Sequence, residues 1–227
     1  MKKFTSVAGA GITALALGLG LVGCGSDSST EASSSSATSS EEETSSTPPP
    51  PPSSPTESIA DYITKNGLEE TAVRPGDAGA PTVNLPVPPG WQRRDDIPEA
   101  PFGAFVFPGS AVPASPPRIL ALMSKLTGDV NPEDLLQYAP GELRRLPGWQ
   151  PIDEGSPGEL MGFDTAQVAG SYQTGPTRGV IAQKTVVVPA DDGAYVLQLN
   201  AYGDETETGI LTQGIQAIDQ QMAVIAS

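Results

Sequence analysis

The chain has 227 residues, with 27 acidic and 12 basic side chains, a net charge of −15, one cysteine and no histidine. The missing histidines exclude Ser-His-Asp and Cys-His catalysis, His-ligated metals and histidine pH switching, and the lone Cys24 excludes an intramolecular disulfide. An acidic surface repels phosphate backbones and anionic head groups, so no nucleic-acid partner is expected.

Met1-Lys2-Lys3 is a basic start, and Val7 to Val22 is an apolar stretch rich in Ala, Leu and Gly. Together they have the form of an export signal, too short and too glycine-broken for a comfortable membrane span. The stretch ends in Leu21-Val22-Gly23-Cys24, which matches the bacterial lipobox. Cleavage is therefore expected between Gly23 and Cys24, and residues 1–23 are the signal peptide. By resemblance to bacterial lipoproteins, Cys24 receives lipid. Two or more acyl chains anchor a protein stably, whereas one binds only marginally. The expected partner of this end of the chain is thus a membrane, and the expected location is the extracytoplasmic face of the cell envelope.

Residues 24–57 carry Ser33 to Ser36, Glu41 to Glu43 and Pro48 to Pro52. Such a composition cannot offset ordering entropy by burial, so a disordered tether is expected. A flexible chain of this length spans about 30 Å. The Ser/Thr/Pro mixture also suits O-glycosylation, an alternative left open beside a bare spacer.

Residues 58–227 have ordinary globular composition, with 10 basic and 21 acidic side chains. About 170 residues suffice for one domain that buries roughly 70% of its unfolded surface. A short amphipathic helix begins at Ser58, with Ile59, Tyr62 and Ile63 on one face and Asn66-Gly67 as its stop. Strands are expected at Thr82 to Leu85, Pro101 to Phe107 and Ile119 to Leu126. Asn131-Pro132-Glu133-Asp134 starts a second helix, with an N-cap, Pro at N1 and acids in the first turn. Pro140 interrupts that helix and Pro147-Gly148 closes it. Further strands are expected at Trp149 to Asp153, Phe163 to Tyr172, Gly179 to Val188 and Tyr195 to Tyr202. Asp191-Asp192-Gly193 joins the last two as a hairpin. Ile210, Leu211, Ile215, Ile218, Met222 and Ile225 recur every three or four residues, which predicts one long C-terminal helix. The order of elements argues for a mainly antiparallel sheet covered by helices, an α/β fold. There is no repeat and no glycine fingerprint for a dinucleotide or P-loop, and no cofactor is implied.

Candidate chemistry is sparse. Asp95-Asp96, Asp153-Glu154 and Asp204-Glu205 are the acid clusters from which a carboxylate-dependent glycan hydrolase would have to draw. Each sits at a predicted turn or helix start, where acids serve capping and solvation. Asp191-Asp192-Gly193 lacks the alternation of a calcium loop, and no metal ligand set is visible. Lys125 beside Ser124, and Lys184 beside Gln183 and Thr185, have the composition of a base and its nucleophile. Strand lysines more often face water with their stems over apolar surface. Gln183, Thr185, Gln198 and Asn200 fall on strands joined by the hairpin. They line a ligand groove if they share a face, although a single solvated sheet face is the commoner arrangement. Trp91, Phe102, Phe105, Phe107 and Trp149 suit core packing more than a sugar- or acyl-binding patch.

Five segments resemble the LpqN/LpqT family of mycobacterial lipoproteins: Ser124-Lys125-Leu126-Thr127-Gly128-Asp129, Ala139-Pro140-Gly141-Glu142-Leu143, Leu146-Pro147-Gly148-Trp149, Ala182 to Pro189, and Val196-Leu197-Gln198-Leu199-Asn200. The order of lipobox, Ser/Thr/Pro tether and opening Ile59-Ala60-Asp61-Tyr62-Ile63 agrees. The resemblance implies an α/β/α sandwich similar to PsbP-like proteins and a place in the cell envelope. It brings no catalytic motif. It implies a non-enzymatic binding or accessory module, with roles in mycolate lipid biogenesis or transport, and envelope proteins, glycolipids or host proteins as partners.

Overall fold

Ser58 sets the start of the first helix in the computed structural model, which describes residues 56–226. Its hydroxyl accepts from the Asp61 amide while the Asp61 carboxylate accepts from the Ser58 amide at 2.7 Å, a reciprocal capping box. Helix α1 (Ile59–Asn66) follows and stops at Gly67, whose φ of 61° suits the left-handed cap. Helix α2 (Pro132–Tyr138) is capped by Asn131, whose side chain accepts from the Glu133 and Asp134 amides. Pro140 then breaks the helical run, and the short α3 (Gly141–Arg144) follows. The signal, cleavage and Cys24 readings, and the tether reading as far as residue 55, lie outside the described residues.

The strands are β1 (Glu69–Ala72), β2 (Thr82–Asn84), β3 (Gln92–Arg93), β4 (Gly103–Val106), β5 (Arg118–Thr127), β6 (Gln150–Leu160), β7 (Phe163–Thr174), β8 (Thr177–Ala190), β9 (Gly193–Asp204) and β10 (Ala223–Ile225). One antiparallel sheet runs β3-β4-β5-β9-β8-β7-β6, with β1 pairing with β5 beside β4; β10 and β2 form a separate pair. Helix α4 (Thr208–Asp219) packs on one face of the large sheet, and α1 to α3 cover the other. This is the expected mainly antiparallel sheet between helical layers.

Each face has its own core. Toward α4, Ile119, Ala121 and Met123 of β5 meet Leu197, Leu199 and Ala201 of β9, with Leu211 and Ile218 of α4 above them. Trp91, Phe102 and Phe105 are buried in this cluster and Phe107 packs against it, as expected for core aromatics. Toward α1 to α3 the apolar contacts divide in two. Tyr62, Leu126, Leu135, Val187 and Val196 make one cluster, and Leu143, Val168 and Ile181 make the other, with Trp149 half-buried against it.

Three expectations need correction. The long C-terminal helix ends at Asp219, and Met222 and Ile225 do not extend its stripe. The chain turns back, Val224 buries at 2% exposure, and β10 pairs with β2, leaving Ile225 59% exposed. Main-chain pairing with a strand some 140 residues earlier outweighs a local three-and-four spacing. Strand β1 was not expected, because its four residues are all exposed and show no alternation. Strand β6 continues far past Asp153, through Gly155, Pro157 and Gly158. These residues are tolerated because β6 is a sheet edge with two register shifts.

Candidate functional site

The β8–β9 hairpin determines where the four polar residues go. Gln183 stands opposite Asn200, and Thr185 opposite Gln198. Directly paired residues project to the same face, as do residues two apart, so the four share one face. That face is the one under α1 to α3. Along β8 the order is Ile181, Gln183, Thr185, Val187; along β9 it is Tyr202, Asn200, Gln198, Val196. The outer members belong to, or pack against, the two separate apolar clusters, so the polar quartet forms a band dividing them. The commoner solvated arrangement is therefore overturned. Gln183, Thr185 and Asn200 are buried, and only Gln198 is partly exposed.

Within the band, Gln183 Nε2 donates to Asn200 Oδ1 at 2.9 Å. Gln183 Oε1 and Thr185 Oγ1 find no hydrogen-bond partner among the described residues. An unpaired buried polar atom costs about 1–3 kcal/mol, so the band is held against its own preference for pairing.

Beside the band, a groove of about 140 Å³ opens along α1. Ile59 and Ile63 form one wall, Leu122, Leu126 and Val196 the floor, and Gln198 and Glu142 bring polar atoms to it. Helix α1 is fastened over this region by three contacts: Arg145 to the Asp61 carboxylate at 2.7 Å, the Tyr62 hydroxyl with the Asn131 backbone, and Lys65 with the Tyr138 hydroxyl. Gly141 makes the fit possible, since a Cβ there would lie 1.8 Å from the Glu57 carbonyl oxygen. The Ser58 backbone and hydroxyl hydrogen bonds, followed by that to Arg145, hold the Asp61 carboxyl at a pKa of about 2.

The other candidates are not brought together. Ser124 and Lys125 project to opposite faces, and Lys125 pairs with Asp192 at 2.7 Å. Lys184 reaches Asp219 of α4 at 2.5 Å, on the far side of the sheet from Gln183 and Thr185. Asp95 and Asp96 pair with Arg93 and Arg94 next to edge strand β3. Asp153 and Glu154 lie on the opposite edge strand β6, where Asp153 accepts from the Gly155 and Ser156 amides. Six strand spacings of roughly 4.8 Å separate those edges, too far for shared chemistry on a glycosidic bond. Asp204 caps a 3₁₀ turn and Glu205 pairs with Arg178. Among the described residues no group of three or more His, Cys, Asp and Glu side chains is placed to hold a metal ion.

Sequence reading missed Glu207, which is buried and accepts from the Ser110 hydroxyl and the Ala111 amide, both at 2.8 Å. No local signal marks it, because its partners lie almost a hundred residues away.

An antiparallel sheet between helical layers, with an internal polar band and a helix-walled groove, defines an α/β/α domain. The chain belongs to the probable lipoprotein LpqN family, whose model matches residues 55–225. It is 45% identical to lipoprotein LpqN of Mycobacterium tuberculosis over 99% of both chains. A putative lipoprotein LpqT of Mycobacterium leprae is 25% identical, over 70% of this chain and 72% of its own. The fold is similar to a crystal structure of LpqN involved in cell envelope biogenesis of Mycobacterium tuberculosis, with a TM-score of 0.72 and 44% identity, covering 75% of this chain and 99% of that one. No helix among the described residues is long and apolar enough to cross a membrane.

Proposed function

We propose that this protein is exported, cut between Gly23 and Cys24, lipidated on Cys24, and acts in the cell envelope as a non-enzymatic binding module. The ligand is an amphiphile of the envelope. Its apolar part lies between Ile59, Ile63, Leu122 and Leu126, and its polar part reaches Gln198 and, as α1 yields, Thr185 and Gln183. The observation that carries this reading is a helix-walled groove, reached by Gln198, beside a buried polar band in which Gln183 Oε1 and Thr185 Oγ1 have no hydrogen-bond partner among the described residues. Envelope biogenesis, the process with which the similar LpqN structure is associated, supports the setting. Alignment along 99% of both chains brings the signal and lipobox region into the comparison. The dispersal of the carboxylates and the separation of each lysine from its neighbouring hydroxyl favour binding over hydrolysis.

Two measurements test this. Cells fed radiolabelled palmitate should label the full chain, and Cys24→Ala should lose the label and leave the membrane fraction; unlabelled wild-type protein would refute the anchor. Native mass spectrometry of the chain released from its own envelope should show a bound amphiphile that Gln198→Ala depletes. A bare mass would refute the groove.

A further inference from the structure

The β6–β7 hairpin breaks two local rules at its tip. The turn is Met161-Gly162, joining Leu160 to its partner Phe163, and both turn residues have positive φ, 53° and 86°. This is the type I′ geometry that favours Asn-Gly or Gly-Gly. Met161 is the one non-glycine residue with positive φ among the described residues, and its side chain is 59% exposed. Directly behind it, Glu159 stands opposite Asp164 in register, both exposed. Like charges directly opposed across a strand pair are destabilising. The whole hairpin, residues 150–174, carries four acids and no basic residue.

These features adjoin an open groove. Between α2 and the hairpin lies a space of about 550 Å³ with Leu136, Pro157 and Ala166 as apolar lining and Glu133 and Asp164 at its rim. The carboxylates of Glu133, Glu159 and Asp164 have no cationic partner among the described residues. They do not form a metal cluster. Strained backbone, an exposed methionine and unpaired like charges gathered at one tip are the pattern expected where function overrides local stability.

We propose that the groove between α2 and the β6–β7 hairpin docks an extended, Lys/Arg-bearing segment of a partner protein. Cationic side chains lie between Glu159, Asp164 and Glu133, and an apolar side chain lies against Met161. The acids disfavour an anionic lipid surface as the occupant. The two register shifts and Pro151 and Pro157 obstruct strand addition along β6, so recognition runs through side chains in the groove rather than edge pairing. The site is separate from the groove under α1, so it stands or falls independently of the amphiphile reading.

The test uses the full chain in detergent and a fluorescein-labelled ten-residue peptide of alternating Arg and Leu, followed by fluorescence anisotropy at two salt concentrations. Glu159→Gln with Asp164→Asn should weaken binding at least ten-fold while raising the melting temperature, because a repulsive pair is removed. Glu99→Gln with Asp129→Asn removes the same charge from exposed positions elsewhere and should weaken binding less than two-fold. Met161→Asn should raise the melting temperature and weaken binding several-fold. Absence of peptide binding, equal losses in the two double variants, or a fall in melting temperature on removing the opposed acids would overturn the proposal.

Discussion

Two single residues show how local chemistry becomes a property of the domain. Asp61 caps α1 and receives Arg145, and its carboxyl is held at about 2 from an ordinary 3.8. A depressed carboxyl contributes stability that is present above the unfolded value and is lost as pH falls through the folded one. The fastening of α1 should therefore weaken between about pH 4 and pH 2. Hydrogen exchange in Ile59 to Asn66 should rise over that window in the wild type. In Asp61→Asn it should already be high at neutral pH and change less. Thr185 makes the opposite case. Its hydroxyl is fully buried without a partner among the described residues, so Thr185→Val, nearly equal in shape, should raise the stability of ligand-free protein by about 1 kcal/mol. Urea unfolding measures this; a loss of stability would mean that the hydroxyl is satisfied, and the band would lose its claim as a site.

At the scale of elements, β10 and β2 illustrate pairing against periodicity. The final residues carry helical spacing, yet the chain leaves α4 at Asp219 and closes a two-stranded ribbon that buries Val224 among Leu85, Trp91 and Ile218. Val224→Pro removes an amide from this ribbon and should expose Thr82 to Asn84 to rapid hydrogen exchange. Protection in β5, β8 and β9 should be nearly unchanged, because none of their ladders includes β10. Collapse of the whole sheet would show that the ribbon is integral to it. The hairpin turns tell a similar story at shorter range. Asp191-Asp192-Gly193 is legible as a turn from its residues alone, whereas Met161-Gly162 is not, because methionine is a poor left-handed residue. The position is recognised only once its strands are paired.

The whole molecule is organised by long-range contacts. Strand β5 at residues 118–127 pairs with β9 at 193–204, and β2 pairs with the last strand. Loops of this length must close before their contacts contribute, so folding should be slow for the size, in the millisecond-to-second range. Stopped-flow refolding followed by the fluorescence of buried Trp91 measures it, and complete recovery within the first millisecond would contradict this topology. The same layering explains why one face of the sheet has a continuous core and the other a divided one. A single long helix, α4, covers the first, whereas three short helices cover the second, with a polar band beneath them and a groove beside α1.

Composition and local pattern alone set the export signal and lipobox reading, the caps of α1 and α2, the central strands and the absence of histidine chemistry. Each of these rests on neighbours within a few residues, where backbone sterics and hydrophobic alternation leave little choice. Tertiary structure decided the rest. Whether Gln183, Thr185, Gln198 and Asn200 meet water or the interior depends on where α1 to α3 settle, and Glu207 becomes a buried anchor only because a loop almost a hundred residues away reaches it. The last strand, likewise, follows from a partner at the other end of the domain. A side chain's parity along a strand is local information, but which of the two faces is covered is a property of the assembled layers.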